Sequence, residues 1–222
     1  MDFGLAFSYI FNDKEWFKKL ALPALCSLIP IIGQFILIGW GLKAAKNVID
    51  GNEQTALPKL DFGADLGRGF MAFVINFLYG LPVGIIAGLS AVLFVIGAEG
   101  DEALMALWFI LGGCLGLMGL LFALLLGFMN LAGVANYVAK GEFRAAFNFK
   151  EVFGLLKKSF ISWLLVLIAQ ILAMAIIAPL GAIACGIGAL LTTAFAIAFH
   201  SHLLGQAYNK STTPAVEVVE PV

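Results

Sequence analysis

The sequence predicts an all-α, polytopic membrane bundle of about six membrane helices in three hairpins, the first short or re-entrant, with amphipathic helices at the interface. Three observations carry this reading. Of the 222 residues, 62% are hydrophobic and 12% charged, and the mean hydropathy is +1.01; an average soluble domain carries roughly 25% charged residues, so lipid must solvate most of this surface. Apolar runs of the length needed to cross ~30 Å of hydrocarbon, about 20 helical residues, recur along the chain. The Lys and Arg residues, 13 in all, fall between alternate runs, which by the positive-inside rule places them together in the cytoplasm.

The elements follow in order. Residues 3–18, with Lys19 directly after them, set Phe7, Phe11, Trp16 and Phe17 against Lys14, Lys18 and Lys19, and lack the basic start and unbroken apolar run of a cleavable signal peptide. They predict a helix in the headgroup layer, with Trp16, Lys18 and Lys19 as lipid contacts. The first hairpin covers about 20–48. Pro30-Ile31-Ile32-Gly33 breaks it into halves too short for a full crossing, and with Lys18-Lys19 and Lys43-Lys46 on one side of the membrane the segment must enter and return. The second hairpin, 68–139, joins runs 70–96 and 103–138 through the acidic turn 99–102, and the later run is so long that it must tilt, kink or project. Residues 147–157 predict a second interfacial helix with Lys157 and Lys158 toward lipid headgroups. The third hairpin, 157–208, pairs runs 160–178 and 180–204 through Pro179-Leu180-Gly181.

Residues 1–208 form one integral membrane domain on this reading, and 209–222 a flexible tail. The turns at 97–102 and 179–181 carry no Lys or Arg, so both termini are expected in the cytoplasm and the protein in the cell (inner) membrane.

A weak internal repeat runs through these elements. Residues 7–19 align with 147–158, and more loosely with 60–70; the hairpin ends 39–47, 129–136 and 201–209 are alike in their small residues. Such repeats suit a transporter, and equally a duplicated scaffold.

The pattern Phe7-x-x-x-Phe11-x-Asp13-x-x-Trp16, then Leu28-Ile29-Pro30-Ile31-Ile32-Gly33, then a small-residue helix ending at Gly51 and followed by Leu57-Pro58, resembles prokaryotic membrane proteins grouped as domain of unknown function 4013. The resemblance covers roughly residues 3–208. Leu60 stands where members often carry Trp. It implies a multi-pass bacterial or archaeal membrane protein, and transfers no activity or catalytic residue.

Runs 70–96, 103–138 and 160–199 contain no Asp, Glu, Lys, Arg or His, which argues against a proton-coupled carrier, a voltage sensor or a charged pore. The polar residues inside apolar runs are Gln34, Asn76, Asn130, Gln170, Thr192 and Thr193. Spread mostly one per helix, they read as interhelical hydrogen-bond partners, with a small polar cavity as the other arrangement. Gly80, Gly84 and Gly88 form a stripe at i, i+4, i+8, mirrored by Gly112 and Gly116, and are expected to seal the second hairpin or to mediate homo-oligomerisation. Cys26, Cys114 and Cys185 lie in apolar runs without metal-ligand spacing. His200 and His202 project about 200° apart on a helix, too far for a shared metal, and read as interfacial histidines.

No nucleophile–base pair, metal cluster or phosphate loop is legible, so the expectation is a non-enzyme without cofactor or metal. With no dense basic run, nucleic acid is not an expected partner. Membrane lipids are, with a second copy or another membrane protein. The function expected first is a scaffold that organises lipids or partners. The second is a transporter or channel for an apolar or uncharged solute, in which case Gln34, Asn76, Asn130 and Gln170 should be water-accessible, whereas in a scaffold packing should seal them.

Overall fold

The computed structural model describes residues 1–54, 57–98, 100, 102–177, 180–181 and 187–213, and all regular elements among them are helical. Helix α1 (Phe3–Ser8) starts where the Asp2 carboxylate accepts the Leu5 N–H at 2.7 Å. It stops at once because the chain turns inward: Tyr9 and Ile10 are buried, and the Tyr9 hydroxyl donates to the Ala198 carbonyl at 3.0 Å. The continuous interfacial helix expected over 3–18 is therefore corrected to α1, a turn, and α2 (Trp16–Cys26). In the turn, Asp13 accepts the Glu15 N–H at 2.8 Å and pairs with Lys19. Lys19 is committed to that carboxylate, whereas Lys18 stays exposed and Trp16 packs edge-on against Phe11 and Phe17.

A tight reversal follows. Ile31 adopts φ 66°, ψ −60°, and the Ile32 N–H donates to the Pro30 carbonyl at 2.7 Å. This is a strained γ-turn centred on a β-branched residue. Helix α3 (Ile32–Ile49) then runs back against α2, so close that a Cβ on Gly33 would fall 1.9 Å from the Cys26 carbonyl oxygen. From Ile32 to Lys43 the helix advances roughly 17 Å, about half the hydrocarbon thickness.

Helix α3 is the centre of the fold. It crosses α4 (Phe62–Ala98) where Gly39 meets Gly69: Cβ atoms there would lie 1.8 Å from the Asp65 carbonyl oxygen and 1.7 Å from that of Phe35. Its other side meets α8 (Ile187–Thr212) through Gly41 and Gly205. The crossing with α4 is pinned by Asp65, which is fully buried, 3.0 Å from Lys43 and 2.7 Å from Arg68, and accepts the Asp61 N–H at 2.8 Å. Trp40, also fully buried, donates its indole N–H to the Pro58 carbonyl at 2.8 Å.

Helices α4 and α5 (Glu102–Lys140) form a hairpin of 37 and 39 residues, each roughly 55 Å long. Its halves meet at Gly112 against the Phe94 ring, Gly116 against Ser90 Oγ and Gly119 against Ile86, and Ser90 donates to the Gly112 carbonyl at 2.7 Å. Gly80, Gly84 and Gly88 do not take part. A Cβ on any of them would meet nothing within 4 Å, so the expectation that this stripe seals the hairpin is corrected: it faces outward. Farther out the hairpin exposes Leu81, Ile85, Leu89, Val92 and Val95, and from the returning helix Leu107, Ile110, Leu117 and Leu121. Glu99 and Asp101 of the acidic turn lie outside the described residues.

Gly141, at φ 70°, stops α5, and a 3-10 turn (Phe143–Phe147) folds back onto it. Asn136 donates to the Ala145 carbonyl at 2.9 Å and Tyr79 to that of Ala146 at 2.7 Å. Helix α6 (Phe149–Lys158) begins at the Asn148 cap and turns Val152, Leu155 and Leu156 into the protein. Lys157 and Lys158 stay exposed, the Lys157 ammonium 5.9 Å from the centre of the Phe153 ring. Helix α7 (Phe160–Leu172) runs on into a π turn (Ala173–Ile177). Pro179 and Cys185 lie outside the described residues. Helix α8 continues to Thr212, where Asn209 donates to the Val48 carbonyl at 2.7 Å. The expected tail is therefore helical through its first residues, and 214–222 lie outside the described residues.

The stretches Phe62–Ala98, Met105–Lys140, Phe160–Ile177 and Gly188–Thr212 are each long and apolar enough to cross a membrane, and the protein is a helical membrane protein.

Candidate functional site

Helices α3, α4, α5, α7 and α8 surround a cavity of about 490 Å³, within the range of small-molecule sites. Gln34 (α3), Asn76 (α4), Asn130 (α5), Gln170 (α7) and Thr193 (α8), the amides and hydroxyl met one by one along the sequence, all line it, joined by His200 and Ser201. The apolar walls come from Ile38, Leu42, Leu131, Val134, Leu167 and Ile197. Gln34, Asn76 and Met174 are exposed at the rim, while Asn130, Gln170, Thr193 and His200 are partly buried within. Among the described residues no Asp, Glu, Lys or Arg lines this space.

Each helix delivers its group for a local reason. Gln34 sits at the start of α3, directly after the γ-turn, and reaches back to the Ser27 carbonyl at 3.5 Å, the outer limit of a hydrogen bond. Asn76 and Asn130 face each other across the hairpin, Asn130 Nδ2 donating to Asn76 Oδ1 at 2.6 Å. Met174 lies in the π turn that extends α7 from Gln170, and such i→i+5 turns often occur where a helix lines a functional site.

The cavity is not fully satisfied. Asn130 Oδ1 and His200 Nδ1 are both shielded from solvent and lack a hydrogen-bond partner. A buried polar atom without a partner costs about 1–3 kcal/mol, so both groups call for a partner, water or solute, inside the cavity. His202 is the contrasting case. Its Nε2 lies 2.9 Å from the Glu53 carbonyl, its Nδ1 3.1 Å from Gln206 Nε2, and its ring 4.4 Å from that of Tyr9. The Gln206 amide also accepts the Asp2 N–H at 2.7 Å and donates to the Asp2 carbonyl at 3.0 Å. His202 therefore ties the amino-terminal segment to α8, whereas His200 serves the cavity; neither is the interfacial histidine expected at a helix end.

Among the described residues, Asn76 and Asn130 form an interhelical hydrogen bond of the kind expected for the polar residues inside apolar runs. Thr192 bonds within its own helix, to the Gly188 and Ala189 carbonyls. Among the described residues no cluster of His, Cys, Asp or Glu has metal-binding geometry, and Cys26 and Cys114 are free thiols. Outside the membrane stretches, the Lys19 ammonium on Asp13 holds that carboxyl below its usual 3.8, and Lys140 holds Glu151 below its usual 4.5. These pairs fasten the α1–α2 turn and helix α6 and do not reach the cavity.

Comparison with curated proteins gives no match, and neither does comparison with solved structures. Residues 22–199 match the sequence model of a family described as protein of unknown function, DUF4013, a span that holds α3, α4, α5 and α7 entire and every lining residue of the cavity through Ile197. Covering most of the chain, from within α2 to the cavity side of α8, that match makes this protein a member of the DUF4013 family.

Proposed function

We propose that the protein is a non-catalytic membrane carrier or receptor that holds an uncharged, hydrogen-bonding solute in the cavity between α3, α4, α5, α7 and α8. One observation carries this reading. Polar groups from five helices converge on one open space, in which Asn130 Oδ1 and His200 Nδ1 have no partner. In a scaffold those groups would be sealed by packing, because an unpaired amide in hydrocarbon is costly. The lining lacks charge, so it suits a neutral solute; a bare ion would bring a desolvation cost that no opposite charge offsets.

In this reading α2–α3, α4–α5 and α7–α8 are three membrane hairpins, the first entering and returning on one side. The lysine-bearing ends and both termini face the cytoplasm of a prokaryotic cell, with Lys18, Lys157 and Lys158 near anionic headgroups. A cysteine placed at Gly100 then reacts with an external impermeant thiol reagent, and one at Glu142 does not; the opposite pattern overturns the orientation.

The binding function is tested by native mass spectrometry of protein released from mild detergent, comparing wild type with Asn130→Leu. Wild type is expected to retain a neutral small molecule that the variant loses. An empty wild type, or identical adducts on both proteins, refutes it. The scaffold reading draws support from the exposed apolar length of the α4–α5 hairpin, and a stoichiometric protein partner in the same spectrum would favour it.

A further inference from the structure

Resting on the cavity being a binding site, we infer that its ligand is a membrane-borne neutral amphiphile bearing a hydroxyl or amide, and that it enters sideways from the hydrocarbon. The first argument is the composition of the mouth. Its exposed residues, Gln34, Asn76 and Met174, carry no charge, and Asn76 and Met174 lie within Phe62–Ala98 and Phe160–Ile177, two of the stretches apolar enough to cross a membrane. An opening at that depth, without a charged residue, faces lipid rather than water.

The second argument is closure. At the other end of the cavity Leu42, Val134 and Leu204 belong to both the lining and the packed core, with Ala45, Val138 and Trp163 behind them, all buried. A solute dissolved in the cytoplasm meets that core before it meets Asn130. The third argument is chemical. Asn130 Oδ1 is an acceptor and requires a donor. A hydroxyl or amide supplies one and also suits the unpaired ring nitrogen of His200. The choline headgroup of phosphatidylcholine has no N–H or O–H to offer, and its phosphate would enter a site without a cation. The apolar walls, Ile38, Leu131 and Leu167 among them, suit the hydrocarbon part of the ligand.

The experiment uses full-length protein in phosphatidylcholine nanodiscs doped with a diazirine-bearing diacylglycerol, photolysed and mapped by peptide mass spectrometry. Crosslinks are expected in peptides carrying Asn76, Asn130 and Gln170. Unlabelled dioleoylglycerol should displace them, and further phosphatidylcholine should not. Asn130→Leu should reduce them roughly tenfold, about one well-made hydrogen bond. Thr193→Val, a smaller change, provides the test should Asn130→Leu fold poorly. Crosslinks confined to the outer α4–α5 hairpin and equal in all variants overturn the proposal. If erythritol added to the buffer is retained by wild type and lost by Asn130→Leu while diacylglycerol does not compete, lipid entry is overturned and the cavity reading survives. If neither probe responds to the cavity variants, both fail.

Discussion

Replacing Gly69 by Ala adds one methyl group where α3 and α4 touch. The added Cβ would sit 1.7 Å from the Phe35 carbonyl oxygen, and backbone cannot swing aside as a side chain can. Real Cβ contacts essentially never fall below 3.0 Å, so the helices must part by more than 1 Å. That separation loosens Asp65, whose 3.0 Å contact to Lys43 joins the same two helices, and moves Gly39, whose carbonyl accepts from Arg68 at 3.3 Å. Overpacking costs about 1–3 kcal/mol, and weakening a buried ion pair adds to it, so a total of about 3 kcal/mol or more is expected. In a chain of this size that lowers the midpoint of thermal unfolding by roughly 6–12 °C. Gly80→Ala is the matched control, since its Cβ meets nothing within 4 Å; the better helix propensity of Ala should raise stability by up to about 1 kcal/mol. Thermal unfolding of both variants in the same detergent, followed by circular dichroism, reads the contrast. A Gly69→Ala protein within about 0.5 kcal/mol of wild type, or a Gly80→Ala protein destabilised as severely, would refute the reasoning. The second result would also show that the outward stripe is covered, as a homo-oligomer would cover it.

Three further outcomes are expected. Asp65→Ala leaves Lys43 and Arg68 facing each other at a buried crossing and should cost about 3–5 kcal/mol, read as loss of folded protein at moderate SDS concentration; unchanged SDS resistance counts against a structural role for this cluster. Ile31→Gly relieves the positive φ at the turn between α2 and α3 and should stabilise by about 1 kcal/mol, and a drop in unfolding temperature would show that the side chain contributes more than the strain costs. Asp13 and Glu151 have carboxyl pKa values below their usual 3.8 and 4.5. Their contribution to stability is therefore present above those values and lost as pH falls through the depressed folded values. Unfolding temperature should be flat from neutral pH to about 5 and fall below about 4, with Lys19→Met and Lys140→Met together flattening that acid limb.

The sequence alone determined the membrane class, the break at 30–33, and the identity of the polar groups at depth. Composition and run length fix those without reference to packing, because a helix in lipid must satisfy its own backbone and carry apolar side chains. The break at Pro30-Gly33 was legible for the same reason: proline and the following glycine are local signals. The partners of those groups were not legible. Gly80, Gly84 and Gly88 look like a packing stripe in sequence, yet the close contacts belong to Gly39, Gly69 and Gly205, because which face of a helix is covered depends on the crossing of two helices distant in sequence. The interfacial helix over 3–18 divides because Tyr9 finds the Ala198 carbonyl, a partner 189 residues away. Asp65 falls in the loosest copy of the repeat, 60–70, and nothing in that pattern marks it as the fully buried residue it is. Tertiary structure alone decided that Gln34, Asn76, Asn130, Gln170 and Thr193 share one cavity with His200: helical periodicity gives the face each residue occupies along its own helix, and only the assembled bundle sets which faces look at one another.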